Sequence, residues 1–249
     1  MDLLLALISG VGIGSVLGFV GAGGSMLAVP IFIYVFGLTP VTATTASLLV
    51  VFVGAFSGVI PKIKEKEVLI KEAFVIWALG LITNLTGAYF LPRIPESIVL
   101  TGFAMVLISA GISMLIPAPI QSSERRVSPV ALVAISLVIG ALTGLFGIGG
   151  GFLAIPILIL FFNVAPSKAA GTSLFIITIN TLTGFFAHYR HWSDVDWTLP
   201  IVIALVALVI SRLASLRSSQ LSPTTLKRAF AYFVFAIALF TLVETWVIA

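Results

Sequence analysis

Gly18-Phe19-Val20-Gly21-Ala22-Gly23-Gly24-Ser25-Met26-Leu27-Ala28-Val29-Pro30-Ile31 returns 126 residues later as Gly144-Leu145-Phe146-Gly147-Ile148-Gly149-Gly150-Gly151-Phe152-Leu153-Ala154-Ile155-Pro156-Ile157. The same offset carries Pro40 onto Pro166, Ala43 onto Ala169, Ser47 onto Ser173, Leu48 onto Leu174 and Gly58 onto Gly184, with no gap. An offset near half of the 249 residues means a duplicated chain, with repeats 1–124 and 125–249 forming one integrated membrane domain. The polar stretch 117–128 joins them.

The composition says where such a chain lives. Apolar residues make up 60%, charged residues 9%, and mean hydropathy is +1.24. A soluble domain carries about 25% charged residues, so a soluble enzyme is excluded first. Apolar runs of about 20 residues recur from end to end, the length a bilayer span requires. There are no cysteines, which removes disulfides, thiolate metal sites and thiol catalysis. The net charge of +4 is no nucleic-acid signature. No Ser-His-Asp order, paired-carboxylate site or metal-ligand spacing is present. The chain therefore reads as no enzyme, and no cofactor is called for. It has no Lys or Arg before Lys62, so its apolar opening is expected to belong to the fold and not to a cleaved leader.

Each repeat begins with an apolar stretch broken at the glycines: 3–20 then 25–36, and 130–146 then 151–162. Three ordinary spans follow, at 41–60, 72–91 and 97–116, then 167–187, 198–216 and 224–246; Thr39-Pro40 and Ala165-Pro166 read as helix starts, with Pro in the first turn. A piece of 12 residues reaches about 18 Å, too short for a hydrocarbon core of about 30 Å. Either each broken stretch is one kinked crossing, or it turns back to its starting side. Loop charges separate the two. With four crossings per repeat the basic residues divide 7 against 6 between the faces; with a hairpin they divide 11 against 2, leaving only Arg93 and Arg190 on the poorer side. Basic loops face the cytoplasm, so the hairpin is preferred. Both termini are then expected outside and loops 61–71 and 117–129 inside. The fold class expected is an all-α polytopic membrane protein of two inverted-topology repeats, each a glycine-broken hairpin plus three transmembrane helices. Inverted repeats with discontinuous helices are typical of secondary transporters with a midplane site.

The candidate site follows from that geometry. Backbone turning within a membrane must be buried in protein or face a watery cavity. Short helices starting near Ser25 and Gly151 would aim free N–H groups, and the positive end of their dipoles, at the bilayer centre. Gly21, Gly23, Gly24, Ser25, Gly147, Gly149, Gly150 and Gly151 are the backbone candidates for holding an anion. Small residues that merely let helices pack closely are the competing explanation. Thr45, Ser47, Thr172 and Ser173 offer hydroxyls, against the common alternative of a bond to a carbonyl one turn back. Asn180 lies near the middle of its span and offers a buried amide; Asn84 reads better as an interhelical anchor. Every Asp and Glu falls near a membrane face, which argues against a cation carrier or carboxylate relay. His188, Tyr189, Arg190 and His191 form an outer-loop cluster able to attract anions, although an ordinary interface loop explains it as well. Trp192 and Trp197 look like interfacial anchors.

The paired Gly-x-Gly-Gly segments, each leading to Leu-Ala-(Val/Ile)-Pro, together with Ala170-Gly171-Thr172-Ser173-Leu174, resemble the sulfite exporter TauE/SafE family of membrane permeases. The similarity covers nearly the whole chain. It implies transport of small sulfur oxyanions or organosulfonates, outward across a bacterial inner membrane. The first repeat departs from the pattern, with Thr45-Ala46-Ser47 where Gly171-Thr172-Ser173 stands in the second. The function expected is an alternating-access transporter of such anions around a midplane site. An anion channel, or a carrier of another anion or a cation, is the alternative. The partners expected are the small anion and the lipid bilayer, with room for a coupling ion and for self-association, and no nucleic acid.

Overall fold

The computed structural model describes residues 2–22, 24–115, 129–147, 149, 154–155, 158, 164–218 and 223–248. Gly23, Gly150 and Gly151, the half-helix expected over 151–162, and the joining stretch 117–128 all lie outside the described residues or largely so. What is described is helical, with no strand among the described residues. The first repeat holds α1 (Asp2–Val20), α2 (Gly24–Pro30), a π turn (Ile31–Val35), α3 (Pro40–Lys64), α4 (Ile70–Phe90) and α5 (Glu96–Leu115). The second holds α6 (Pro129–Phe146), α7 (Pro166–Ala187), α8 (Thr198–Arg217) and α9 (Pro223–Val243). Among the described residues, five helices are long and apolar enough to cross a membrane: Asp2–Val20, Pro40–Lys64, Ile70–Arg93, Ser167–Ala187 and Thr198–Arg217. The chain is an all-α polytopic membrane protein.

The glycine break in the first repeat is real. The N–H of Gly21 donates to the Leu17 carbonyl at 2.9 Å, closing α1. Gly21 itself has φ +83°, a conformation that glycine reaches without a Cβ penalty. A continuous helix would hold positions 13 and 24 about 16 Å apart. Here a Cβ added to Gly24 would strike the Ile13 carbonyl and lie 2.6 Å from Leu17 Cγ, so the chain has doubled back. All of α2 is buried. Ser25 pins its start, with Oγ donating to the Ala22 carbonyl at 2.8 Å.

The repeats interlock. α1 packs along α8 and, equivalently, α6 packs along α4. Both seams are stripes of small residues. Gly10, Gly14 and Gly18 lie against Val206, Ala207 and Ala214, while Gly140 and Gly144 lie against Gly80 and Asn84. Such stripes bring helix backbones together where lipid supplies no hydrophobic drive between them. α3 and α7, the equivalent long helices, pack on each other. Leu48 meets Gly184 and Leu174 meets Gly58. These pairs run in opposite directions along the two helices, so α3 and α7 lie antiparallel. Their contact centres on Val53 and Ile179.

The outside is as apolar as the core. Large apolar side chains cover the outside, such as Leu3, Leu4 and Ile8 on α1 and Leu205, Val209 and Leu213 on α8. Ser25, Thr44, Thr45, Ser47, Asn84, Thr172, Ser173, Asn180, Thr181 and Ser211 are among the residues buried inside. This arrangement suits acyl chains as solvent and keeps hydrogen-bonding groups within the bundle. The helix starts at Pro40 and Pro166 fall as the sequence predicts, with Thr39 Oγ1 accepting from the Thr42 N–H at 3.4 Å. α3 runs one turn further than its expected end at residue 60, through Pro61 to Lys64. Lys62 and Lys64 in that last turn complement the negative end of the helix dipole.

Candidate functional site

The two ends of the α3–α7 pair are closed by loops that fold over the start of the opposite helix. At one end the 65–69 connection sits on α7. A Cβ on Gly171 would strike the Glu67 carbonyl, and the Leu69 N–H donates to Thr172 Oγ1 at 2.9 Å. Lys62 is only 6% exposed there. It donates to Glu67 Oε2 at 2.9 Å and to Glu65 Oε2 at 3.4 Å. Burial pulls the Glu67 carboxyl upward, but the hydrogen bond and charge of Lys62 outweigh it and hold the group below its usual 4.5. A lowered carboxylate pKa contributes stability above the unfolded value and loses it as pH falls through the folded one. Glu67→Gln should therefore lower the thermal midpoint at pH 7. It should also remove the part of wild-type acid destabilisation that sets in below about pH 4.5. Melting curves between pH 7 and 3 check this; identical pH profiles would overturn it.

At the other end His188, just past α7, takes the place equivalent to Lys62. Its Nδ1 lies 3.3 Å from Thr45 Oγ1 and its Nε2 lies 3.1 Å from the Gly144 carbonyl. Burial pushes the imidazole down to about 4 despite the opposing Gly144 bond, so the ring is neutral at pH 7. His188 thus ties α3, α6 and α7 together.

The hairpin tips reach past the middle of the bundle. Gly21 abuts Ala170, at 2.8 Å from a Cβ built on the glycine, and Gly147 abuts Thr44 and Ser47. These contacts lie about 9–14 Å along the helices from the Val53–Ile179 centre, on opposite sides of it. The second chain segment then turns back inward. Gly149, with φ +72°, lies over Ile177 and Thr181, which flank Asn180 at the level of the centre.

That centre is polar on one side only. Asn180 is 1% exposed, and neither its Nδ2 nor its Oδ1 has a partner among the described residues. Asn84 crosses from α4 and donates to the Asn180 carbonyl and to Thr183 Oγ1, each at 3.1 Å; its own Oδ1 is also unpartnered. Thr181 and Thr178 are buried on the same helix. The position equivalent to Asn180 in the first repeat is Gly54, where an added Cβ would lie 2.8 Å from Leu17 Cδ1 and 3.6 Å from Ala207 Cβ. A buried amide without partners costs about 1–3 kcal/mol, which is why such groups mark a ligand or water position. No carboxylate lies mid-helix, and no cluster of three metal-ligating side chains occurs among the described residues.

The expected hydroxyls lie elsewhere or are engaged. Thr45 Oγ1 donates to the Val41 carbonyl at 2.8 Å and Ser47 Oγ to the Thr44 carbonyl at 2.8 Å. Thr172 caps the 65–69 connection, far from the centre. Ser173 is buried in the same turn and has an interaction partner. Of the expected set, Asn180 and Gly149 lie at the level of the centre, where Asn84 reaches α7; Thr181 packs under Gly149 with its Oγ1 donating to the Ile177 carbonyl at 2.7 Å. Nothing in the sequence pointed to Thr181; its position one residue after Asn180 was the available signal.

The profile of the sulfite exporter TauE/SafE family matches residues 6–241. The chain is similar to a "Probable membrane transporter protein" of Xylella fastidiosa (strain 9a5c), with 29% identity over 98% of this chain and 97% of the relative. It is also similar to the "Probable membrane transporter protein YunE" of Bacillus subtilis (strain 168), with 27% identity over 82% of this chain and 84% of the relative. No solved structure matches it significantly.

Proposed function

This chain belongs to the sulfite exporter TauE/SafE family, an integral membrane transporter family, and from that premise we propose that it exports small sulfur oxyanions, sulfite or organosulfonates, by alternating access. It performs no enzymatic step. The repeats are inverted in the bilayer, a reading supported by the antiparallel lie of α3 and α7. The 11 to 2 division of basic residues supports a reading with both termini outside a bacterial inner membrane and the 65–69 connection inside.

One observation carries the substrate reading. The Asn180 amide is unpartnered among the described residues, at the level where the positive-φ Gly149 packs on Ile177 and Thr181, in a centre without carboxylates. A neutral N–H donor such as Asn180 Nδ2 suits an anion that must be released again. A carboxylate would repel it, and a buried lysine would hold it too tightly. Backbone N–H groups of the second turn would supplement the amide. The Gly21 and Ser25 N–H groups are bonded to the Leu17 and Ala22 carbonyls, and the Gly147 N–H to the Thr143 carbonyl, so these three are spoken for.

Purified protein in liposomes provides the test. Sulfite or methanesulfonate efflux should saturate with concentration and accelerate when the same anion is supplied on the far side. Non-saturating conduction would mean a channel. Absence of flux for all sulfur oxyanions, with protein folded and inserted, would overturn the substrate class.

A further inference from the structure

Resting on the transporter reading above, we propose that the outer ends of α4 and α7 form a docking vestibule for an oxyanion carried on a short apolar arm, an alkyl sulfonate in preference to bare sulfite. A crevice of about 820 Å³ opens there. Arg93 and Arg190 both line it, and they are the two basic residues that the charge count leaves on the outer face. Neither has a carboxylate within 4.0 Å among the described residues. Each guanidinium is held by a tyrosine instead. Arg93 donates to the Tyr89 carbonyl and lies 4.0 Å over the Tyr89 ring. Arg190 Nε donates to Tyr189 Oη at 3.2 Å. His191 also lines the crevice, and Asp194 is turned onto it at 3.1 Å.

The loop that presents Arg190 is fixed. Trp192 stacks on Phe185 at 4.6 Å and donates to the Phe185 carbonyl at 3.1 Å. Trp197 then donates to the Trp192 carbonyl at 2.9 Å. Two positioned, unpaired guanidinium groups are the usual recognition element for a tetrahedral or pyramidal oxyanion. Leu81, Leu85, Pro92 and Phe186 supply apolar wall beneath them, a surface that bare sulfite would leave unused. The crevice is connected to the central amides through Thr183. This residue lines it and accepts the hydrogen bond from Asn84 Nδ2. That continuity favours a transported anion over a phospholipid headgroup, which offers the same phosphate-plus-chain chemistry from the bilayer.

The experiment separates the two sources. Full-length protein in maltoside micelles, which contain no phosphate, is titrated with butanesulfonate, sulfite or phosphatidylglycerol and followed by thermal unfolding. Butanesulfonate should stabilise the wild type at lower concentration than sulfite. R93Q/R190Q should need about tenfold or more butanesulfonate for the same shift. In liposomes, the same double variant should raise KM for butanesulfonate presented at the outer face by a similar factor, with kcat little changed. Equal butanesulfonate shifts in both proteins would overturn the vestibule. So would stabilisation by phosphatidylglycerol that butanesulfonate does not compete with. Unchanged outer-face KM in R93Q/R190Q would remove the vestibule while leaving transport intact. Failure of wild-type flux for every sulfur oxyanion would instead remove the function it serves.

Discussion

Valine in place of Gly149 should reduce sulfite flux by about a hundredfold or more, because displacing a binding group by about 1 Å can have that effect. Two costs act together. The residue sits at φ +72°, where a β-branched side chain is strained by about 1–3 kcal/mol. Its Cβ would lie 2.8 Å from Ile177 Cγ2 and 2.9 Å from Thr181 Cγ2, and overpacking of that kind adds about 1–3 kcal/mol. The turn must then shift away from α7 and from Asn180. Gly12→Val is the matched control, since a Cβ there meets nothing within 4 Å. Both proteins are checked for monodispersity and helix content before reconstitution. Folded Gly149→Val with wild-type flux would show that the turn holds no substrate.

Asn180→Leu should separate stability from transport. The side-chain amide has no partner among the described residues, so removing it forfeits no bond and relieves buried polar atoms worth about 1–3 kcal/mol each. The thermal midpoint should hold or rise while flux falls by about a hundredfold, the loss expected when a buried donor that binds the anion is deleted. Asn84→Leu should behave differently. It forfeits the bonds to the Asn180 carbonyl and Thr183 Oγ1, so stability should drop by about 1–3 kcal/mol. Thermal unfolding and flux are measured on the same preparations. Normal transport by Asn180→Leu would displace the site from the bundle centre.

The span positions were legible because twenty-residue apolar runs and X-Pro starts act locally. The α1–α2 reversal was legible because a half-length apolar piece after a glycine cluster has few other options in lipid. Thr45, Ser47 and Thr172 illustrate what was not. A hydroxyl in a helix can bond its own backbone or reach a ligand, and only the neighbours decide. Thr172 is claimed by Leu69, which is 103 positions away in the chain. Asn180 carried an interpretable signal, an amide in mid-span. Its pairing with Asn84, by contrast, depends on how the two repeats interlock, and periodicity within either repeat says nothing about that. The duplication itself invited a symmetrical site, whereas Gly54 opposite Asn180 makes the centre one-sided.

Lys62 and His188 occupy matching posts at opposite ends of the α3–α7 pair. One is an ammonium clasped by Glu65 and Glu67; the other is an uncharged imidazole held by Thr45 and Gly144. On the rocking scheme proposed above, opening the His188 end parts bonds that run from α7 to α3 and α6, whereas the Lys62 clasp lies within residues 62–67 and travels with its own segment. Two copies of one part thus close their two ends by unlike means, one across helices and one within a turn.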